Sequence, residues 1–367
     1  MDVPRLVIIT TRLPPQVCGV GTYSWLLHRH WPVDDSPVEF LVIDGAAQSA
    51  AELGHSAIWQ FNGQAAELSH ALDRAGNANL ILHYAGRAYH RFGCPVWLPP
   101  VLETWKTKFP AGRLLIFFHE LPSTDFAVTS RFFWIDLCNR RVVRRLARLA
   151  DIIVTNTTAH VRKIDEISRR NDAQLIPIGS NIEPVSPFVD GRHRGQFMVF
   201  GLPFGRWQTL QMFDREIRSW CEGGVLTKLH LVGPGDEKFD RRSDQLTSVL
   251  PSGTVLRHGF LPSSAVSDLL RRVQFGLTNA SPENWSKSSA FMAFAAHGCA
   301  VVGKTAFQSE PLRYTVSTEE LPTISEVDLV RRQRMLKQWY AENADWTVIA
   351  RRMSALIPVR VQQEPVT

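Results

Sequence analysis

Residues 5–31 read RLVIITTRLPPQVCGVGTYSWLLHRHW. The run from Arg5 to Thr11 is apolar and β-branched, which predicts a strand, and the stretch from Thr22 to Trp31 has the apolar periodicity of a helix. The loop between them is rich in proline and glycine. Strand, loop and helix in this order predict the first unit of a Rossmann-like domain.

The same alternation continues along the chain. Apolar runs separated by helical patterns are typical of a parallel sheet that is covered on both faces. The predicted strands are 5–11, 39–44, 56–61, 79–84, 113–118, 151–155, 173–178, 196–201, 228–233, 253–259, 273–278 and 299–303. The predicted helical patterns are 22–31, 64–75, 208–222, 262–272, 288–297 and 326–356. We therefore expect an α/β protein.

The length of 367 residues exceeds what one hydrophobic core usually serves, so two domains are expected. Residues 179–195 are rich in Pro, Gly and Ser and lack apolar periodicity, which is typical of a connector. We assign the chain to an N-terminal Rossmann-like domain (1–180), a linker (181–195), a second Rossmann-like domain (196–325), and C-terminal helices with a tail (326–367).

Composition excludes several classes of protein. Apolar residues make up 44% and charged residues 21%, which excludes a disordered or collagen-like chain, and the net charge of +6 favours an anionic ligand or membrane surface. Five cysteines without paired spacing signal neither a disulfide framework nor a zinc site, so we expect reducing cytoplasm. No uncharged apolar stretch reaches the roughly 18 residues of a spanning helix, so any membrane contact is expected to be peripheral.

The glycines of the first loop allow two interpretations. Gly19 and Gly21 can let backbone N–H groups approach a phosphate at the N-terminus of the following helix. Alternatively, they only turn the chain. The G-x-G-x-x-G spacing and a clear acidic ribose partner are missing, so nicotinamide dinucleotide binding is disfavoured.

Several stretches resemble a known family. PPQVCGVGTYSWLL at 14–27 resembles the first loop and helix of GT-B glycosyltransferases, particularly glycosyltransferase family 4. LILHYAGRAYHRFGCPVWLP at 80–99, IFFHELPS at 116–123 and FFWIDLCNRRVVRRLARLADIIVT at 132–155 resemble uncharacterised bacterial members. The resemblance implies two Rossmann-like domains facing a central cleft, with the C-terminal helix packing back toward the N-terminal domain. It places the loop of Gly19 and Gly21 beside the donor diphosphate and the acceptor.

Candidate catalytic residues follow a predicted strand of the first half. His119 and Glu120 come directly after it, where an open α/β sheet presents ligand-binding groups. The resemblance assigns such a histidine to the active site, in contact with the transferred sugar or the reacting phosphate. Glu120 would orient the ring or meet a sugar hydroxyl. The alternative for His119 is a hydrogen bond to a neighbouring loop carbonyl.

Candidate acceptor residues follow the strand 79–84. Tyr84, Arg87 and His90 lie in a segment whose aromatic and basic side chains can line a sugar pocket. Core packing explains the nearby Trp97 and Leu98 equally well.

Donor-binding candidates lie in the second half. Arg206 precedes a helical pattern and follows a strand, which is a phosphate-binding arrangement. The resemblance places Phe260 and Leu261 at the nucleotide base. The Lys-Gly pair that often follows the arginine in family members is missing, so the diphosphate site is incomplete from this side.

The segment that resembles the family's E-x7-E region departs from it. Glu283 has no second carboxylate at the required spacing, and the second glutamate falls at Ala293. Instead, Lys287, Ser288 and Ser289 stand at a predicted helix N-terminus, where a cation, hydroxyls and backbone N–H groups can bind a diphosphate. The alternative is a surface helix capped by a serine.

A basic helix is predicted within 139–150. Its arginines share one face opposite an apolar stripe. This face is either solvated or contacts an anionic membrane surface. The five residues are Arg140, Arg141, Arg144, Arg145 and Arg148.

The leading hypothesis is a cytoplasmic glycosyltransferase that moves a sugar from a nucleotide diphosphate sugar to a hydroxyl acceptor, in bacterial glycan or glycolipid synthesis. The resemblance implies retained configuration, and no D-x-D-like motif is evident, so we expect neither a metal nor another cofactor. The expected partners are the donor, a glycan or lipid-linked acceptor and an anionic membrane surface, but no nucleic acid. The rival is a catalytically silent nucleotide-sugar-binding protein of the same fold, and a nicotinamide oxidoreductase ranks third.

Overall fold

The computed structural model describes residues 5–14, 16, 18–32, 38–43, 58–61, 64–122, 128–184 and 192–357. The described residues up to Pro177, together with those from Trp346 onward, form one compact unit, and Ile178–Asp345 form another. Part of the predicted linker, 185–191, and the predicted tail beyond 357 lie outside the described residues.

Parallel strands alternate with helices through the described part of the chain. The strands are β1 (Leu6–Thr10), β2 (Val38–Ile43), β3 (Ile58–Phe61), β4 (Asn79–Tyr84), β5 (Leu114–Phe118), β6 (Ile152–Thr155), β7 (Gln174–Leu175), β8 (His193–Phe200), β9 (Lys228–Val232), β10 (Val255–Gly259), β11 (Val273–Leu277), β12 (Ala300–Gly303) and β13 (Val316–Ser317).

The helices are α1 (Gly19–Arg29), α2 (Ala65–Ala75), α3 (Gly86–Tyr89), α4 (Leu98–Lys108), α5 (Arg131–Leu149), α6 (Thr158–Ser168), α7 (Pro203–Met212), α8 (Asp214–Glu222), α9 (Glu237–Thr247), α10 (Ser263–Arg272), α11 (Ser289–His297), α12 (Glu326–Asn343) and α13 (Trp346–Leu356). Single 3₁₀ turns cover Trp285–Lys287 and Leu312–Tyr314.

The first unit contains a parallel sheet in the order β3-β2-β1-β4-β5-β6-β7. Its inner strands are buried on both faces, since every residue of β1, β4 and β5 is buried. The strand order reverses between β1 and β4. In open α/β sheets, ligands bind outside the carboxyl ends of the strands at such a reversal.

The second unit repeats this plan with the order β10-β9-β8-β11-β12-β13. Its reversal lies between β8 and β11. The helical pattern predicted over 208–222 is divided into α7 and α8 at Phe213, which lies between the two helices with non-helical backbone angles and a fully buried side chain.

The prediction of two Rossmann-like sheets is confirmed, as is the return of the C-terminal helix. The pattern predicted over 326–356 is divided into α12, in the second unit, and α13, in the first. Trp346 of α13 packs edge-on against Tyr23 of α1, with ring centroids 4.9 Å apart. None of the helices in the described ranges combines the length and hydropathy that crossing a membrane requires.

Gly21 brings α1 against the loop that follows β1. A Cβ atom at this position would lie 1.6 Å from the carbonyl oxygen of Arg12, whereas a Cβ at Gly19 meets no atom within 4 Å. The two glycines of the loop therefore have different roles, and close packing accounts for Gly21.

We expect Gly21→Ala to destabilise the protein by about 1–3 kcal/mol or more, because the backbone of β1's loop must move to admit the methyl group. Gly19→Ala is the matched control and should change stability by less than about 1 kcal/mol. Urea unfolding of both variants measures the difference. Equal free energies of unfolding for the two variants would show that the loop accommodates the methyl group at position 21 without destabilising the protein.

Candidate functional site

A pair of histidines lies at the carboxyl edge of the first sheet. His119 directly follows β5, and its backbone N–H donates to the carbonyl of Tyr84 at 2.9 Å. Nε2 of His119 lies 2.9 Å from Nδ1 of His83, a residue of β4. The predicted alternative for His119, a bond from its ring to a loop carbonyl, is not what is seen, because its ring partner is this second histidine.

The pair is enclosed by aromatic rings. Phe117 stands opposite His83 in the strand register and two residues before His119, so all three side chains share one face of the sheet. The ring of His119 stacks on Phe117 at 4.2 Å, and Tyr23 of α1 meets His119 edge-on at 5.1 Å. Sheet and helix thereby hold both imidazoles away from bulk water.

Burial sets the protonation of the pair. Burial lowers the pKa of His83 to about 3. The pKa of His119 lies well below its ordinary value, chiefly through burial and then through the neighbouring His83 and His160. Both imidazoles are therefore neutral at pH 7, and one of them donates the single proton between them.

A pocket of about 240 Å³ lies in the same unit. Arg87, Arg91 and Glu120 are exposed residues that line it, and Asn139 of α5 forms part of its wall. Phe92 and Phe132 supply aromatic surface at the same pocket. Cations, a carboxylate and aromatic faces are the groups that bind sugars and their anionic substituents.

The structure separates the three predicted acceptor residues. Arg87 lines the pocket, but Tyr84 is buried in the core and donates its hydroxyl to Oδ1 of Asn139 at 2.9 Å. Nδ1 of His90 accepts from the backbone N–H groups of Phe92 and Cys94, both at 3.4 Å. Tyr84 and His90 therefore support the pocket wall and its loop.

Arg206 is placed inside the second unit. The residue is 7% exposed, and its Nη2 donates to the carbonyl of Pro234 at 2.8 Å and to Oδ1 of Asp240 at 3.3 Å. Burial lowers the pKa of Arg206, and Asp240 opposes that effect. The predicted donor cation thus links α7 to α9 and lines a small cavity of about 170 Å³.

The other predicted donor residues lie at two loops of the second unit. Phe260 follows β10 and is 70% exposed, whereas Leu261 packs against the core. Lys287 is exposed in the 3₁₀ turn before α11. Phe260 and Lys287 are therefore accessible to a ligand.

The serines before α11 have the role of a helix cap. Ser288 is the N-cap, and its Oγ accepts from the N–H of Phe291 at 3.2 Å. Ser289 is the first helical residue, so its backbone N–H belongs to the N-terminal turn. Glu283 accepts from the hydroxyl of Ser281 at 2.7 Å, and Ala293 is fully buried.

Four of the five arginines on the basic face of α5 contact other groups of the first unit. Arg145 donates twice to Glu103 of α4, at 2.7 and 2.5 Å, and Arg140 pairs with Asp136 at 3.0 Å. Arg144 and Arg148 donate to carbonyls of α6, while Arg141 is exposed. Arg144, Arg145 and Arg148 thus link α5 to α4 and α6 while these residues remain exposed on the surface.

The sequence patterns point to Arg91 as well as Arg87 in this pocket, but they do not identify His83 or Asn139 as site residues. His83 had one signal, since it is a polar residue in the interior of the strand NLILHY, where the residues from Leu80 to Leu82 are apolar. The place of Asn139 in the pocket wall depends on how α5 packs beside α3, and single-sequence patterns do not contain that information.

Solved structures share this architecture over nearly their whole length. A sucrose-phosphate synthase from Thermosynechococcus elongatus is 14% identical, with 96% of this chain and 98% of that chain covered and a TM-score of 0.69. An alpha-glucosyltransferase in complex with UDP is 14% identical, with 96% and 99% covered and a TM-score of 0.61. WaaG, a glycosyltransferase involved in lipopolysaccharide biosynthesis, is 13% identical, with 96% and 99% covered and a TM-score of 0.56.

The chain has the GT-B fold. Protein-family models give no match, and neither do the sequences of curated proteins. At these identities the likeness concerns the GT-B fold, and the reaction has to be argued from the site.

The buried histidines make stability depend on pH. The unfolded chain binds protons below its ordinary histidine pKa of about 6.5, whereas His83 stays neutral in the folded protein down to about pH 3. This contribution is full above pH 6.5 and is lost as the pH falls toward 3. His119, His230 and His297 have lowered pKa values and act in the same direction.

We expect the free energy of unfolding to fall from pH 7.5 to pH 5, by up to about 1.4 kcal/mol per pH unit for each such histidine. His83→Asn should reduce the slope, because one proton-binding difference disappears. Urea unfolding at several pH values measures it. A variant slope equal to that of the native chain would contradict the buried, neutral state of His83.

Proposed function

We propose that the chain is a glycosyltransferase that moves a sugar from a nucleotide diphosphate sugar to a hydroxyl group. The observation that carries the proposal is the neutral His83–His119 pair at the carboxyl edge of the first sheet, in the unit that also contains the pocket of Glu120 and Arg87. A GT-B structure in complex with UDP supports a nucleotide-linked donor.

The second unit supplies groups for the donor diphosphate. Lys287 is exposed beside the N-terminus of α11, a nine-residue helix whose first N–H groups lack intrahelical acceptors. A cation and a helix N-terminus together favour an anion. They would stabilise the charge that accumulates on the departing diphosphate. Exposed Phe260 offers an aromatic face to the base.

The first unit supplies groups for the acceptor. Its pocket of about 240 Å³ is smaller than the sites of drug-sized ligands, which start at about 300 Å³. The size therefore suits one sugar residue of a larger acceptor. Glu120 and Asn139 would bind its hydroxyl groups, and Arg87 an anionic substituent.

Finer assignments rest on the sequence resemblance. We infer a member of glycosyltransferase family 4 that retains configuration without a metal and acts in bacterial glycan or glycolipid synthesis. A cytoplasmic protein at the inner face of a membrane is supported by the net charge of +6 and by exposed Trp134 and Arg141 on α5. A catalytically silent binding protein, suggested by Ala293, is less favoured, because binding alone would not require a histidine such as His119.

We expect Lys287→Ala to raise the Kd of a nucleoside diphosphate about tenfold or more and to leave the Kd of the nucleoside unchanged, because a charge-assisted contact to phosphate is worth about 1.5–3 kcal/mol. Calorimetric titration with UDP, GDP, ADP and the corresponding nucleosides measures this.

Lys228→Ala is the matched control, since Lys228 lies at the amino end of β9 and should not affect nucleotide binding. Equal losses for diphosphate and nucleoside would show that Lys287 is remote from the phosphates. If no nucleotide binds the native chain, the proposed donor class is wrong.

A further inference from the structure

His83 is a buried polar residue in a position that packing alone does not explain. Its side chain is fully buried in β4, between Leu82 and Tyr84 in the strand. Nδ1 meets His119, but Nε2 has no hydrogen-bond partner in the part of the chain that the structure describes. An unsatisfied buried polar atom has a cost in stability. An apolar residue of similar size would avoid this cost.

A second histidine pair in the molecule provides a comparison. His230 and His258 of the second unit also lie 2.9 Å apart, and their rings are stacked. Nε2 of His230, however, lies 3.2 Å from Oε1 of Gln196, so both of its ring nitrogens are satisfied. The pair at the first sheet differs in two ways: Nε2 of His83 has no partner among the described residues, and His119 lies directly after a strand.

The contact with His83 limits how His119 can act. An imidazole has two polar atoms, and Nε2 of His119 is already taken. Any hydrogen bond from His119 to a substrate must therefore use Nδ1. The ring cannot turn to exchange its nitrogens without breaking the bond to His83 and the stacking on Phe117.

We propose that His83 is a positioning residue: it holds Nε2 of His119, fixes its tautomer and leaves Nδ1 as the atom that meets the substrate. This inference rests on the proposed function for its catalytic consequence, but the hydrogen bond itself can be tested without turnover. The partner of a functional imidazole nitrogen determines which nitrogen carries the proton.

The test compares His83→Asn with His83→Leu. An asparagine amide stands close to the place of Nδ1 and can keep the bond, whereas leucine fills the space without a polar atom. We expect His83→Asn to keep kcat within about threefold and His83→Leu to lower kcat by about tenfold to a hundredfold, as small misplacements of a reacting group do. KM for the donor should change less than threefold in both.

His230→Leu is the control, because it removes the other pair and should leave kcat per folded molecule unchanged. The proposal is overturned if His83→Leu keeps the native kcat. It is also overturned if His83→Asn lowers kcat as much as His83→Leu does, because His83 would then act through packing alone.

A spectroscopic readout separates this proposal from the proposed function. Ring ¹⁵N resonances of His119, assigned with a His119→Asn variant, should shift in His83→Leu and stay near native values in His83→Asn. If the chain transfers no sugar but the resonances behave in this way, the proposed function fails and the positioning contact stands. Unchanged His119 resonances in His83→Leu would overturn the contact.

Discussion

Burial of parallel strands on both faces governs where chemistry can occur in this protein. The residues of β1, β4 and β5 are all buried, so side chains of the first sheet can meet a ligand only near the ends of the strands. The strand order reverses between β1 and β4 in the first sheet and between β8 and β11 in the second. A crevice that can bind a ligand forms at the carboxyl ends of the strands at such a reversal. The His83–His119 pair and the α11 N-terminus lie at such edges because the sheets leave few other places for them.

Low polarity around the histidine pair gives it a defined chemistry. The two imidazoles are buried beside Phe117 and Tyr23 and remain neutral. A charged imidazole in this place would lack the hydration that stabilises it in water. One imidazole of the neutral pair donates the single proton between them, and this contact fixes the orientation in which Nδ1 of His119 is presented. This combination distinguishes the pair from a histidine that only fills a core.

Much of the fold could be predicted from the sequence, because continuous apolar strands and helical periodicity are local signals. The strands at 79–84 and 273–278 were predicted to within a residue of their bounds. The strand predicted over 173–178 is reduced to the two residues of β7, and the two-residue β13 and the break at Phe213 carry little local signal. The site was harder to predict: His119 stood out after its strand, but its partner is 36 positions away in the chain. Arg206 also stood out after its strand, but as an expected phosphate ligand. Its buried contact with Asp240 depends on how the chain folds, and the sequence does not indicate it.

Release of the nucleoside diphosphate from a sugar donor is the most direct measurement of the proposed reaction. The native chain would be incubated with UDP-, GDP- and ADP-linked sugars, with and without glycan acceptors, beside a His119→Ala variant that keeps its fold. We expect the native chain to consume one donor class, faster with an acceptor, and the variant to lose most of this turnover. Consumption of no donor, or equal turnover by native chain and variant, would contradict this expectation.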